Sequence, residues 1–551
     1  MEHRSDLQVR EAAAVWLAGL ALAILMTWPL AAGLGRLGRT TGADGQFSLW
    51  NVAWVSRTLI ANPSGLFDAN IFYPHKTTLA YSEANLLEGA AGIPVWWSTR
   101  NPYATLNVVV LLAFTTSFAC MYFLARRLSG SRPGAALAGM LYAFCPYVFS
   151  HTPHIQLLAT AGLPLSMLML DKAVESPSPG RGLALGLALV AQTLSCAYYG
   201  IFAALMVAFG ALVFAATRGL WRSRTFWVSL AIGAAVAIGF VLPVFAQYLR
   251  VQSETEFGRT IADAARWSAT PQDYIVSSAH AHAWLLAIAR RFEHWQEVLF
   301  PGFLAVVLGL AGLVICARRG AERRDRETAL LYGSLGGLAL WSSFGPSAGL
   351  YRLLFHLPLF SFLRAPSRFG LVVVFALAVL AAFAVRALVE RRPRAPRRLA
   401  PAVLAAAAIA DLNVLPFPWE RAPVVPSPYR VLAALPRAPV AEFPFYGERI
   451  AFPLHTQYML FSTAHWMPLV NGYSDLIPLD FRESAAVLSA FPTNDAFAVL
   501  AHHRVRYIGV HWDMYGPRAG ETRRALERYA PNLRVLAADA RMTLYEVVRY
   551  P

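Results

Sequence analysis

The sequence predicts an all-α polytopic membrane domain over residues 1–416 and a small extracytoplasmic α/β domain over 417–551. About eleven transmembrane helices and a long structured first outer loop make up the first domain. Three observations predict this. Hydrophobic residues are 57% of the 551 and charged residues only 15%, against about 45–50% and 25% in ordinary soluble chains. Apolar runs long enough to cross a bilayer recur through the first three quarters of the chain. Beyond residue 416 those runs stop and short β-like segments begin. Such a composition excludes a soluble enzyme, a disordered chain and a nucleic-acid-binding module. The net charge of +16 has another use in a membrane chain, where cations fix which loops stay in the cytoplasm. Four cysteines, Cys120, Cys145, Cys196 and Cys316, lie in apolar runs and read as packing residues rather than a disulfide framework.

A bilayer core about 30 Å thick takes about 20 apolar residues per helix. Runs of that kind fall near 12–32, 104–125, 134–150, 155–171, 182–198, 200–217, 226–248, 299–317, 328–345, 368–388 and 399–416. The first is too long for a signal h-region, and no clear Ala-x-Ala site follows it, so it reads as an uncleaved helix. With a cytoplasmic N-terminus, the short inside loops hold Arg126, Arg127 and Arg132; Lys172 and Arg181; Arg218, Arg222 and Arg224; Arg318, Arg319, Arg323, Arg324 and Arg326; and Arg386, Arg391, Arg392, Arg394, Arg397 and Arg398. The long outer loops 33–103, 249–298 and 346–367 are far sparser in cations. Shifting the span count by one would break this alternation. An odd number of spans then leaves 417–551 outside. Prolines 416, 418, 423, 426 and 428 mark a linker. Val440–Phe443, Val505–His511, Leu533–Ala537 and Thr543–Val548 read as strands, with helices near 480–490, 495–503 and 521–529.

The first outer loop runs about 70 residues, a length that is functional or internally structured in most proteins. Phe47–Ile60 reads as a helix with Phe47, Trp50 and Trp54 along one side, a pattern that lies in the membrane interface. Trp96 and Trp97 read as anchors of the loop's far end. Asp44 sits in Gly42-Ala43-Asp44-Gly45, near the outer surface. A carboxylate there suits proton abstraction or a divalent ion; an Asp between glycines also suits a plain turn. Asn62–Pro74, Tyr81-Ser82-Glu83 and Glu88 mix aromatics with carboxamides and acids, as sugar-facing surfaces and ordinary folded loops both do.

Two further places stand out. His151-Thr152-Pro153-His154-Ile155-Gln156 forms a tight outer turn, where interfacial histidines and a metal pair are both open readings. His280 and His282 invite the same pair of readings. Leu363-Arg364-Ala365-Pro366-Ser367-Arg368-Phe369 opens a span at the outer surface, with Ser367 as its cap. A helix N-terminus with two forked guanidinium groups matches a lipid phosphate, of a special lipid or of ordinary headgroups. Arg250, at the outer end of the seventh span, is a companion. Walker A, Rossmann, Cys-x-x-Cys and His-Glu-x-x-His motifs are absent. Group transfer would therefore need an activated donor already outside, and a lipid-linked sugar fits.

These residues carry a resemblance. A first span, a long outer loop with an early Asp, many further spans and an outside C-terminal domain resemble the GT-C superfamily of integral-membrane glycosyltransferases. Asn62 through Glu83, Leu363–Phe369 and Ser462-Thr463-Ala464-His465-Trp466-Met467-Pro468-Leu469-Val470-Asn471-Gly472-Tyr473-Ser474 are similar to a bacterial group of such enzymes. The resemblance implies a GT-C-like fold in the cytoplasmic membrane and a polyprenyl-phosphate-linked sugar as donor. The acceptor would be a glycan, lipid or protein. By position the resemblance puts the superfamily's catalytic base or metal contact on Asp44. The residues themselves suggest the rest: Arg364 and Arg368 for the donor phosphate, Glu83, His154 and Arg250 for the substrate site, and Trp466, Asn471 and Tyr473 for the acceptor. Relatives carry paired acids where this chain has Asp44-Gly45 and His154, so a divalent metal stays open as the only cofactor. A flippase of lipid-linked glycans and a non-catalytic scaffold are the rival classes. The span interiors lack the ionisable residues and matched halves of transporters.

Overall fold

The computed structural model of the chain describes residues 2–40, 42–255, 260–292, 297–357, 360, 363–390 and 394–551. They form two compact units. The first comprises 1–32, 109–244 and 258–418, and the second 33–108, 245–257 and 419–551. The first outer loop thus belongs to the same unit as the C-terminal region.

The first unit is helical. All eleven expected spans coincide with helices. Among the described residues, seven are long and apolar enough to cross a membrane: Val9–Met26, Pro102–Ser129, Arg132–Ser150, Ile155–Glu175, Ala197–Arg218, Arg224–Glu254 and Pro366–Val389. The other four, Pro179–Ser195, Phe303–Ala317, Arg323–Ser343 and Arg394–Leu412, are shorter or more polar. Together with the C-terminal sheet, this is a polytopic membrane domain carrying a small α/β domain. We label α1 (Glu2–Met26), α2 (Ala43–Ala61), α3 (Leu86–Thr99), α4 (Pro102–Ser129) and α5 (Arg132–Ala143). Local chemistry sets the starts. Ser131 accepts from the Gly134 amide ahead of α5, and Ser178 from the Arg181 amide ahead of Pro179–Ser195. Each is followed by a Pro in the first turn, whose missing N–H is no loss there.

The Gly370–Glu390 helix is the buried centre of this unit, with Leu371, Phe375, Val379 and Phe383 fully or almost fully enclosed. Glycines let its neighbours approach. A Cβ added at Gly134 of α5 would stand 2.4 Å from the Ala382 carbonyl oxygen, and one at Gly312 would stand 1.9 Å from that of Leu380. Small residues at such crossings are how membrane helices gain packing without a hydrophobic drive.

The basic loops meet at one end of the unit. Glu11 binds Arg126 at 3.2 Å and Arg132 at 2.7 Å. Buried Asp171 receives Arg127 at 2.5 Å and Arg324 at 3.3 Å. Arg218 binds Glu327 at 2.6 Å, and Arg386 pairs with Asp325. Segments around 126–132, 171–175, 218, 323–327 and 386 are thereby tied together, as the alternation of charge requires. Arg391 and Arg392, and the side chains of Arg394, Arg397 and Arg398, lie outside the described residues.

In the second unit a four-stranded sheet runs β3-β4-β6-β5. We label β1 (Leu37–Gly38), β2 (Glu420–Arg421), β3 (Val440–Phe443), β4 (Tyr507–His511), β5 (Leu533–Ala538) and β6 (Met542–Val547). β3 and β4 are parallel and the other pairs antiparallel. β3 is an edge strand, and its open side is covered by the chain itself. Val440 donates to Pro468 O at 2.8 Å, and Val470 donates to Val440 O at 2.9 Å. The first outer loop continues the cover: Leu469 donates to Asn70 O at 2.9 Å, Tyr73 to Leu469 O at 2.8 Å and Phe72 to Asn471 O at 3.2 Å. An edge strand left open would template aggregation.

This docking overturns one expectation. The aromatic side of α2 does not lie against lipid. Trp50 and Trp54 are buried, and their indole N–H groups donate to Asn70 Oδ1 at 3.0 Å and Leu66 O at 2.9 Å. Trp96 is buried too, with its ring 5.7 Å from that of Trp466. A stripe of Trp on a helix has the same spacing whether it meets lipid or a folded domain. Here the domain supplies acceptors for the N–H groups, which a lipid tail cannot.

Candidate active site

At the end of the first unit away from the arginine network, the His151 turn, the chain after Asp273 and the start of the Gly370–Glu390 helix build a polar cluster. Tyr147 O lies 2.8 Å from His151 Nδ1, so the Nδ1 proton points at that carbonyl and Nε2 faces Glu297 Oε2 at 3.7 Å. Glu297 is held at both ends. Its amide donates to Asp273 Oδ1 at 3.0 Å, and its Oε1 accepts from Ser367 Oγ at 3.1 Å. Ser367 therefore does not cap its own helix as expected; the hydroxyl is committed to Glu297. Burial pushes the Glu297 carboxyl up, with the Arg368 charge opposing, and pushes His151 down to about 3. Both groups are thus held toward their neutral forms.

His154 and Arg368, singled out in the sequence, join this cluster. The His154 ring lies 6.2 Å from His151. The Arg368 guanidinium sits 4.3 Å over the Tyr198 ring, and Arg364 sits 5.4 Å over Trp267. The Tyr198 hydroxyl accepts from the Ala365 amide between them, and Ser367 N donates to Trp267 O at 3.3 Å. Tyr147 and Tyr199 complete the wall, hydroxyl to hydroxyl at 3.0 Å. Both guanidinium groups lie on ring faces here, an arrangement that leaves a guanidinium's in-plane donors directed along its plane.

Sequence reasoning missed Glu297. Its signal is slight: an acid just before the apolar run at Leu299. Burial comes from contacts with Ser367 and Asp273, far along the chain, which no local pattern encodes.

The second unit carries the other candidates. Asp44 lies exposed in the first turn of α2, at the positive end of the helix dipole. It is neither in an isolated turn nor buried. The chain before it is pinned: Gln46 Nε2 donates to Thr40 O at 3.1 Å and to Gln457 Oε1 at 2.9 Å, and Thr40 binds Glu420 through its amide and its hydroxyl, each at 3.1 Å. Gly45 is needed there, because an added Cβ would fall 1.6 Å from the Arg39 carbonyl oxygen. The Glu83 backbone accepts from Asn51 Nδ2 at 3.1 Å, two turns further along α2. Arg250 is exposed near the end of the Arg224–Thr255 helix. Trp466 packs on Trp54 and Trp96, and Tyr473 is half-buried beside the same core. Asn471 is fully buried. It accepts from Glu442 N at 2.8 Å and donates to Glu442 O at 2.9 Å, so its amide extends the covered edge of β3. It is engaged within the domain and not presented to a ligand. Thus the first unit gathers His154, Arg364 and Arg368, while Asp44, Glu83, Arg250, Trp466, Asn471 and Tyr473 are spread over the second.

Metal chemistry has little to stand on here. Among the described residues no group of three or more His, Cys, Asp or Glu side chains is placed to hold an ion. Glu420, in β2 opposite Gly38, is engaged with Thr40.

Comparison with solved structures shows what this architecture is similar to. The Archaeoglobus fulgidus oligosaccharyltransferase, crystallised in complex with Zn and sulfate, matches over 93% of this chain and 69% of its own length, at a TM-score of 0.52 and 14% identity. This chain shares that protein's fold. Oligosaccharyltransferase AglB of the same organism, in complex with an inhibitory peptide and a dolichol-phosphate, matches at 0.49, with 15% identity over 93% of this chain and 70% of that one. ArnT from Cupriavidus metallidurans, in the apo state, also gives 0.49 and 15% identity, over 97% and 98%. No family model and no curated protein matches the sequence. The shared fold agrees with the GT-C-like architecture expected from the sequence, and the chemistry rests on the residues above.

Proposed function

We propose that this GT-C chain transfers a sugar from a polyprenyl-phosphate donor to a hydroxyl acceptor on the outer face of the cytoplasmic membrane. In this reading the N-terminus and the arginine-paired end are cytoplasmic, and the cluster around Glu297 faces outward. The observation that carries it is Arg368: a half-buried guanidinium stacked on Tyr198 at the mouth of a span, with no ion-pair partner among the described residues. A lipid phosphate sits at that depth, and a guanidinium fork matches two of its oxygens.

The acceptor oxygen attacks the anomeric carbon as the carbon–phosphate-oxygen bond breaks. Configuration inverts, and the polyprenyl phosphate leaves. Asp44 takes the acceptor's proton. Arg368, with Arg364, steadies the negative charge that grows on the leaving phosphate. Burial holds Glu297 and His151 toward their neutral forms, which lessens what Glu297 sets against Arg368's charge. His154, in the same unit as Arg368, borders the sugar. No step is routed through a metal.

The test uses the full chain in proteoliposomes supplied with synthetic undecaprenyl-phosphate hexoses and a membrane extract as acceptor source. Free undecaprenyl phosphate is followed by mass spectrometry. Asp44→Asn should slow its release by about 10²–10⁴-fold, the usual contribution of a positioned base, and Arg368→Gln by a comparable factor. Expression and membrane insertion should be unchanged. Undiminished release by the Asp44 variant would remove that residue from the reaction, and undiminished release by both would end the reading.

A further inference from the structure

A second arginine group, in the other unit, has no part in that reaction. Arg57 near the end of α2, Arg100 just after α3 and Arg437 ahead of β3 come together around two tryptophans. Arg57 lies 5.4 Å over the Trp466 ring. Arg437 Nη1 donates to Trp466 O at 2.9 Å. Arg100 lies 4.0 Å over the Trp97 ring, and Trp97 Nε1 donates to Ser56 O at 3.2 Å, next to Arg57. The Trp96 ring joins the set through Trp466, at 5.7 Å.

Like charges gathered this way repel. Burial and the charges of Arg437 and Arg100 draw Arg57 below the usual arginine range, and no carboxylate offsets them. Among the described residues none of the three forms an ion pair. Arg506 and Arg534 of the same unit, by contrast, converge on Glu546. One more donor is unsatisfied beside them. The Trp96 indole N–H is buried and has no acceptor. Trp466 itself is held at φ 57°, in the left-handed region that a bulky residue rarely adopts. Strain and uncompensated charge collect where a ligand completes the arrangement.

Location narrows the ligand. Arg100 stands two residues before Pro102, where α4 begins as an apolar span. Trp97, beside it, is 37% exposed. Tryptophan and arginine immediately ahead of a span sit at headgroup depth. Three forked donors with no carboxylate among them suit a phosphate rather than a neutral sugar.

We infer that Arg57, Arg100 and Arg437, framed by Trp97 and Trp466, form a phosphate-binding site at the membrane surface, separate from the Arg364–Arg368 cluster. The phosphate belongs to a lipid headgroup or to a soluble phosphorylated ligand. The inference stands whether or not the transferase reading does.

Arg57 is half-buried, so the exposed pair Arg100 and Arg437 is substituted. The full chain in dodecyl maltoside is melted by tryptophan fluorescence while dioctanoyl phosphatidic acid, dioctanoyl phosphatidylcholine or inorganic phosphate is added. The wild type should be stabilised by phosphatidic acid and not by phosphatidylcholine. The Arg100→Gln/Arg437→Gln variant, with an unchanged ligand-free melting temperature, should need about tenfold more phosphatidic acid for the same shift. Measured in an Arg368→Gln background, which removes any phosphate held at the other cluster, the same tenfold difference should remain. A shift with phosphatidic acid alone assigns a lipid headgroup; an equal shift with inorganic phosphate assigns a soluble ligand. No shift with either probe overturns the site. So does a shift that survives in the double variant, or one that only Arg368→Gln removes. Raised salt should weaken the wild-type response, since exposed charges are screened.

Discussion

Asn471 and His455 show how one buried side chain sets the state of another. Asn471 Nδ2 lies 3.2 Å from His455 Nδ1, and His455 Nε2 lies 3.1 Å from Tyr446 O. A neutral ring protonated at Nε2 satisfies both neighbours, donating to the carbonyl and accepting from the amide. A second proton would set N–H against N–H. Burial pushes His455 down to about 4 for the same reason, since nothing nearby compensates a charge. The unfolded residue titrates near 6.5. A lowered pKa in the fold means the unfolded state takes up the proton first, so the contribution is whole above about pH 6.5 and is lost as pH falls toward 4. A shift of that size is worth about 3 kcal/mol. The protection factors of the β3 amides, which Asn471 also braces, should therefore fall between pH 7 and pH 5 once the intrinsic exchange rate at each pH is divided out. Equal protection at both values would mean His455 is not the buried neutral ring described here.

At the scale of elements, period and punctuation told most of the story. β3 to β6 begin and end within two residues of the runs seen in the sequence, and the three short helices between them do the same. β6 alternates and the helices are amphipathic, while β3 and β4 are short β-prone runs buried on both faces, and a local reading captures all of them. The partner of the α2 aromatic stripe was not legible, because the spacing of Phe47, Trp50 and Trp54 says which side is apolar and not what covers it. Helix crossings were equally hidden. Gly312 lies in an unbroken apolar run, and only the fold shows its Cα pressed against Leu380 of the central helix. Gly312→Leu should force that pair apart and cost about 1–3 kcal/mol, as overpacking does. Gly337→Ala, at a helix site with nothing within 4 Å, should be near neutral. Thermal melting of the two detergent-purified variants checks this; a wild-type melting temperature for Gly312→Leu would show that the crossing is looser than described.

For the whole molecule, charge was the most informative signal, and its limits are instructive. The arginine-rich short loops could be assigned to one end because topology demands alternation, and Glu11, Asp171, Asp325 and Glu327 do tie them together there. The site at the other end was half legible. Arg364, Arg368 and His154 stood out because polar residues at the end of an apolar run need a reason. Glu297 did not, since its meaning comes from Ser367 and Arg368, about 70 residues on. The proposed anion-binding site around Trp466 was invisible for the same reason: its three arginines lie far apart in sequence. Sidedness follows from the same charge argument and can be measured directly. Gly320→Cys lies in an arginine-rich loop, and Gly349→Cys lies in the loop before Leu350–Phe355, beyond the opposite end of Arg323–Ser343. Of the native thiols Cys145, Cys196 and Cys316 are buried and Cys120 is only half-buried, so labelling of the wild type gives a low baseline. In intact spheroplasts a membrane-impermeant maleimide should label Gly349→Cys and spare Gly320→Cys until the membrane is opened with detergent. The reverse pattern would put the arginine network outside and the Glu297 cluster in the cytoplasm, where a transferase acting on the outer face could not use it.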